Sequence, residues 1–195
     1  MLRLRRSLSA LAVAGLLVAP NTLRAQAAAA ATPAGPEVGQ DAPGFTIPVV
    51  GKDGAVRPLT LSSLRGKTVV LAFFPRVRTQ GCTVQMTAYR DKWAELFHNG
   101  ENVTVIGIST DASADQQAWA REANFPMLFG SDVGGQVGAA YGAFMPANNI
   151  DNRYLYVIGP DGKIAYTAKP FRQMVETAYT DLGAAVTKAR GGHGH

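Results

Sequence analysis

Two nearly unbroken apolar runs constrain this chain more than any other feature: Thr68-Val69-Val70-Leu71-Ala72-Phe73-Phe74 and Val103-Thr104-Val105-Ile106-Gly107-Ile108-Ser109. Each is rich in β-branched side chains, and neither alternates with polar residues. Both are therefore expected as central strands covered on both faces. Between them, Met86, Tyr89, Trp93, Leu96 and Phe97 recur at helical spacing. The spacing predicts a helix from about Cys82 to Asn99, ended by Asn99-Gly100. A strand, a helix and a second buried strand imply a parallel crossover with helices packed against the sheet.

The flanking segments complete one α/β domain. Phe45–Val49 and Val56–Leu61 read as a hairpin around Gly51-Lys52-Asp53-Gly54, and Ser62–Lys67 as one helical turn. Ser113 is placed to cap a helix running to about Ala123, and Gly134–Tyr141 reads as a shorter, Gly-rich helix. Tyr154–Ile158 and Lys163–Thr167 form a second hairpin around Gly159-Pro160-Asp161-Gly162, and Phe171–Lys188 the last helix. No internal repeat is visible. This order is that of a thioredoxin-like fold: a central mixed β-sheet flanked by helices, opened by an N-terminal β-hairpin. A different α/β sandwich is the alternative.

The N-terminus reads as a targeting segment. Arg3, Arg5 and Arg6 precede an apolar stretch from Leu8 to Ala19, and Ala25-Gln26-Ala27 is an A-x-A cleavage site. Residues 1–27 are thus expected to be a signal peptide, with the mature protein exported to the periplasm or secreted. The apolar stretch is short for a membrane span, and no stable membrane insertion is expected after cleavage. Arg5-Arg6 leaves the Sec and twin-arginine routes both open. Residues 28–36 read as a disordered Ala/Pro/Gly linker, 37–190 as the domain, and 191–195 as a flexible tail. The formal charge is +5, and subtracting the four arginines of residues 1–27, which hold no acid, leaves +1. A nucleic-acid partner is therefore not expected.

The domain carries a single cysteine, Cys82, so no disulfide forms within the chain. Cys82 stands where the first apolar run, a Pro/Gly loop and the start of a helix meet. A thiol in the first turn of a helix faces unpaired N–H groups and the positive end of the helix dipole, which favour a reactive thiolate. Pro75, Thr79 and Cys82 fit P-x-x-x-T-x-x-C, and Arg153 stands just before the strand Tyr154–Ile158. In these positions the chain resembles the peroxiredoxins, the AhpC/TSA-like redoxins. Gln40–Phe45 looks like the family's usual start, and Cys82-Thr83-Val84-Gln85 with Tyr89-Arg90-Asp91 looks like its bacterioferritin comigratory protein, or Q-type, branch.

The resemblance implies a thiol-dependent peroxidase acting on hydrogen peroxide or organic hydroperoxides. Cys82 would be the nucleophile that becomes a sulfenic acid. Arg153 would stabilise the thiolate and orient the peroxide, Thr79 would offer a hydroxyl to sulfur or peroxide, and Pro75 would shield the pocket from water. Gln85 and Arg90 would shape the site without reacting. Gln80 stands where the family usually has proline, and Thr87 where the Q-type branch often has its resolving cysteine. Turnover would therefore need an external thiol: thioredoxin, glutaredoxin or a small thiol. The Q-type likeness implies a monomer or weak homodimer.

Each residue also has a plainer reading: Cys82 as a small buried hydrophobe, Arg153 as a strand-edge charge, Thr79 as a helix cap, Arg76 and Arg78 as solvated loop charges. One alternative function is a thiol sensor oxidised once without turnover. Another is an exported thiol–disulfide oxidoreductase, disfavoured because Thr79 occupies the position of a first thiol and Arg153 that of the usual facing proline. No cofactor is expected. No metal site is expected either: His98 lies at a helix end, and His193 and His195 lie on the tail.

Overall fold

The computed structural model describes residues 34–191. The expected signal peptide, linker residues 28–33 and tail residues 192–195 lie outside the described residues. Linker residues 34–36 lie against Lys169, whose Nζ donates to the carbonyls of Ala34 at 3.3 Å and Pro36 at 3.1 Å.

The chain forms β1 (Thr46–Val50), β2 (Val56–Thr60) and a 3-10 turn (Leu61–Leu64), then β3 (Thr68–Phe73). Next come α1 (Gln80–Asp91), α2 (Trp93–Phe97), a second 3-10 turn (His98–Gly100), β4 (Val103–Ser109) and α3 (Ser113–Glu122). β5 (Leu128–Ser131), α4 (Gln136–Ala140), β6 (Phe144–Met145) and β7 (Ile150–Asp151) follow. The chain closes with β8 (Leu155–Ile158), β9 (Ile164–Ala168) and α5 (Glu176–Gly191). Seven strands make one mixed sheet in the order β2-β1-β5-β4-β3-β8-β9, and β6 and β7 pair separately. β3, β4 and β5 run parallel, while β8 enters antiparallel to β3 with Ala72 opposite Leu155. The architecture is thioredoxin-like.

The alternation of β3 divides the core. Val70, Ala72 and Phe74 face one side with Cys82, Met86, Tyr89, Leu96, Phe97, Trp119, Leu182 and Val186. Val69, Leu71 and Phe73 face the other with Ile106, Ile108, Val137, Tyr141 and Tyr156. Helices α1, α2, α3 and α5 therefore cover the first face, and α4 covers the second.

Several boundaries differ from the sequence reading. α1 begins at Gln80, two residues ahead of Cys82, and the expected single helix to Asn99 is broken at Lys92. Lys92 has φ −103° and ψ 25°, and the break lets Trp93, Leu96 and Phe97 turn under α5. Ser113 is not a cap. Ala112 holds that position in extended conformation, and no side chain caps the helix. Phe171 is buried in the core ahead of α5 and is not part of it. β5 has no counterpart in the sequence reading, because Leu128-Phe129-Gly130-Ser131 is too short and too polar at its end to announce a buried strand.

Phe74 follows β3 directly, where the chain leaves the sheet. Its ring stands edge-on to Phe129 at 6.1 Å and tilted to Trp119 at 5.8 Å. Phe74→Ala is expected to lower stability by about 3–5 kcal/mol, through the lost burial and the cavity left in the core. The urea midpoint followed by tryptophan fluorescence measures this.

Candidate active site

The parallel strands deliver their loops to one edge of the sheet. Pro75 to Thr79 cross from β3 to α1, and this loop is tied down on two sides. The Val77 N–H donates to Asp111 Oδ2 at 2.9 Å, just past the end of β4. Asp111 Oδ2 is held in turn by Ser109 Oγ at 2.8 Å, and Ser131 Oγ donates to the Asp111 carbonyl at 2.8 Å. The Arg78 guanidinium donates to both carboxylate oxygens of Glu122, each at 2.8 Å. This outward ion pair leaves Arg78 as a loop charge, not a neighbour of the thiol. Arg78 adopts φ 58°, an uncommon conformation for a side chain of this size.

Thr79 occupies the cap position of α1 and is exposed. Its hydroxyl donates to the Arg76 carbonyl at 3.0 Å, so it braces the loop and makes no hydrogen bond to Cys82. Pro75 is half-buried at the loop's start.

Cys82 is the third residue of α1 and is 0% exposed. It is enclosed by the apolar core on the face described above, but one polar group reaches it. Arg153 Nη2 donates to Cys82 Sγ at 3.3 Å. Nη1 of the same guanidinium donates to Gln85 Oε1 at 2.6 Å, and Gln85 Nε2 donates to Tyr89 Oη at 2.9 Å. Gln85 and Tyr89 are both fully buried. Burial pushes the Tyr89 phenol far above its ordinary range, so it stays neutral. A buried chain thus runs sulfur, guanidinium, amide, phenol along one side of α1. The turns between Cys82, Gln85 and Tyr89 are the i, i+3 and i+4 steps that place side chains on one helix face.

Arg153 comes from the connection between β7 and β8. The Asn152 N–H donates to the Ala143 carbonyl at 2.7 Å, and the Phe171 N–H donates to the Arg153 carbonyl at 2.7 Å. Gly81 makes room for it. A Cβ there would lie 3.2 Å from Arg153 Nη2 and 3.0 Å from Gln173 Nε2.

Of the four residues read as catalytic, the structure joins Cys82 and Arg153 directly and places Pro75 and Thr79 on the adjoining loop. Arg90 donates to the Ala123 carbonyl at 2.8 Å and pairs with Asp91. His98 Nε2 meets Thr187 Oγ1 at 2.9 Å. Among the described residues, no three His, Cys, Asp or Glu side chains converge on one point. Clefts of about 500 and 590 Å³ lie elsewhere, one beside Phe45, Asp132 and Tyr141, the other beside Tyr166, Asp181 and Lys188. Asp111, which anchors the loop, was not singled out in the sequence. Its only signal is its place immediately after a buried strand.

A thiol in the first turn of a helix thus stands faced by an arginine at the carboxyl edge of a thioredoxin-like sheet. The AhpC/TSA family model matches residues 38–167, and the chain belongs to that family. A bcp peroxiredoxin of Coxiella burnetii is 37% identical over 118 residues, covering 60% of this chain and 74% of that one. A chloroplastic peroxiredoxin Q of Sedum lineare is 34% identical over 129 residues, covering 65% of each chain. Among solved structures, peroxidoxin BcpB of Mycobacterium tuberculosis superposes with a TM-score of 0.67 at 27% identity, over 78% of this chain and 97% of that one. The reduced 2-Cys peroxiredoxin of Plasmodium vivax gives 0.66 at 21% identity, over 77% and 97%, and supports the fold alone. The chain is of the Q/BCP type among peroxiredoxins, an enzyme of the thiol-dependent peroxidase class.

Among the described residues, Gln85 alone holds Nη1 of Arg153. Gln85→Leu keeps the volume but leaves the guanidinium unbraced and the Tyr89 hydroxyl without its donor. It is expected to slow oxidation of Cys82 by hydrogen peroxide at least tenfold in stopped-flow fluorescence. It is also expected to cost about 1–3 kcal/mol in denaturant.

Proposed function

We propose that the protein reduces hydroperoxides by a one-cysteine cycle in which Cys82 is the peroxidatic nucleophile. The observation that carries this reading is the 3.3 Å contact from Arg153 Nη2 to Cys82 Sγ inside an otherwise apolar enclosure. A thiolate there has a fixed cation beside it and little water around it. The sulfur's electron pair attacks the terminal oxygen of R–O–OH. The S–O bond forms, the O–O bond breaks, and sulfur is oxidised by two electrons. The leaving oxygen departs as R–OH after taking a proton, giving Cys–SOH. Arg153 stabilises the charge that grows on that leaving oxygen. Pro75, which has no N–H, keeps the loop's first residue from offering a donor to water. Thr79 keeps a hydroxyl at the mouth of the helix, within a loop held by Arg76 and Asp111.

No second cysteine exists in the chain, so an external thiol must complete the cycle. The first thiol condenses with Cys–SOH, releases water and leaves a mixed disulfide. A second thiol then frees Cys82 and carries away the new disulfide. The reductant's class is a protein or small-molecule thiol. Export by residues 1–27 to the periplasm or the exterior, and a monomer or weak homodimer, are part of the same reading. Its support is the order of charge, apolar stretch and A-x-A site in the sequence.

A second reading has a specific observation behind it. Cys82 is fully enclosed and has no intrachain partner, which suits a sensor that is oxidised once and stays so. Peroxide consumption with dithiothreitol separates the two. Many equivalents consumed per protein supports the peroxidase, and arrest after one supports the sensor.

Mass spectrometry of peroxide-treated protein is expected to find one added oxygen on Cys82. Cys82→Ser is expected to abolish consumption, and Arg153→Ala to slow the oxidation step at least a hundredfold. Undiminished turnover in Cys82→Ser would eliminate the mechanism.

A further inference from the structure

The mechanism above makes no use of the most deeply enclosed acid in the molecule. Asp151 is 0% exposed, and neither of its carboxyl oxygens has a hydrogen-bond partner among the described residues. It stands in β7 opposite Phe144 of β6. Its side chain lies against α4 at Gly138, where any Cβ would collide with Oδ1.

The groups around it offer no compensating charge. Asp132, in the loop before α4, faces it with a carboxylate whose Oδ2 accepts the Gly138 N–H at 2.8 Å. Asp111, in the loop after β4, is the second charged neighbour. α4 and β6 contribute no titratable residue. Arg153, two residues further on, directs its guanidinium to Gln85 and Cys82. Asp132 and Asp111 both repel a charge on Asp151, and no base offsets them. Burial first, then Asp132 and Asp111, hold the proton on Asp151 up to about pH 8. An ionised carboxylate in this enclosure would have no donor among the described residues.

The acid is wired to the site by short hydrogen bonds. The Thr110 hydroxyl donates to the Asn149 carbonyl at 2.8 Å, the Asn152 N–H to Ala143 at 2.7 Å, and the Phe73 N–H to the Tyr154 carbonyl at 2.8 Å. Asp151 and Arg153 thus share one segment, pinned to β3 at one end and to the β4 loop at the other. We propose that Asp151 is a positioning residue for Arg153 that works only as an uncharged acid. Its ionisation drives the carboxylate out from between Gly138 and the Asp132 loop, and the shift of β7 withdraws the guanidinium from Cys82. The protein therefore carries an alkaline limit on its own oxidation step. This inference rests on the reading of Cys82 and Arg153 as the reacting pair.

The test is stopped-flow oxidation of the full chain by hydrogen peroxide from pH 5 to 10. The wild-type rate is expected to fall with a midpoint near pH 8. In Asp151→Asn, which keeps the shape without the charge, the ratio of the rate at pH 9 to that at pH 6 is expected to be at least threefold higher than in the wild type. Asp132→Asn retains an acceptor for the Gly138 N–H but removes the repulsion, so its midpoint is expected to move to lower pH. The backbone amide resonances of Asn152 and Arg153 are expected to shift near pH 8 in the wild type and not in Asp151→Asn. A falling limb that persists in Asp151→Asn, or static amides in the wild type, would overturn the proposal. Amides that move in a protein inert to peroxide would instead remove the peroxidase reading and leave the positioning role standing.

Stability supplies a further readout. The folded protein keeps this proton to about pH 8, whereas the unfolded chain releases it near the ordinary 3.8. The stabilising contribution is thus complete below about pH 4 and declines as pH rises towards 8. That component of the Tm profile is expected to vanish in Asp151→Asn, and its survival there would count against an enclosed neutral acid.

Discussion

The contact between the Arg153 guanidinium and the Cys82 sulfur places heavy demands on everything around it. A guanidinium has five N–H donors and cannot shed its charge. Brought into an apolar enclosure, it must find acceptors for the donors that lose water. Here Gln85 takes one and the sulfur another, while the remainder of the half-buried side chain keeps some access to solvent. Gln85 can serve because its own amide is held by Tyr89, whose phenol burial keeps neutral. Removing any one of these groups leaves the next without a partner. The interaction is therefore a property of the chain of four, and it is stronger for lying largely out of solvent.

Topology explains why these groups meet. β3 and β4 are parallel, so the loops that follow them open at the same edge of the sheet. β8 runs antiparallel to β3, so its first residue enters at that same edge, with Leu155 opposite Ala72. The segment before β8 must then cross the mouth of α1. Asp111, at the end of β4, reaches sideways to the loop after β3 and fixes its height. A sheet with this strand order places a nucleophile and a cation from distant sequence positions at one crevice, as open α/β sheets do at the carboxyl ends of their strands.

Much of this could be read from the chain alone. The unbroken apolar character of residues 68–74 and 103–109 identified the central strands because no other environment tolerates such segments. The helix-start thiol was legible through its flanking elements, and Arg153 through the resemblance to the peroxiredoxins. What was not legible depended on burial or on long-range pairing. β5 has four residues and borrows its identity from pairing with β4 and β1. The break at Lys92 leaves the apolar periodicity intact, so periodicity could not reveal it. Thr79 was expected to turn towards the sulfur, yet its hydroxyl finds the nearer Arg76 carbonyl, a choice of rotamer that sequence does not encode. Asp151 reads as an ordinary polar residue beside Asn152. Only the fold, by closing Gly138 and Phe144 over it, makes it exceptional.

The position five residues after the nucleophile shows how the same geometry bears on chemistry. On a helix, five residues advance the chain by roughly 7.5 Å and turn it about 140° beyond a full revolution. A cysteine at 87 would thus sit far from Cys82 on another face of α1, outside the narrow Cβ separation that a disulfide requires. Pairing the two would oblige α1 to unwind. With threonine at 87 that obligation is gone, and the intact helix has no intramolecular disulfide to accommodate. The remaining demand comes from the enclosure itself. A sulfur with no exposed surface is closed to a protein thiol unless the first turn, Gln80 to Thr83, moves aside. That turn has no side-chain cap, so what must release with it is the loop ahead of it, held by Asp111, by Thr79, by the Arg78–Glu122 pair and by Val77 packed on the core.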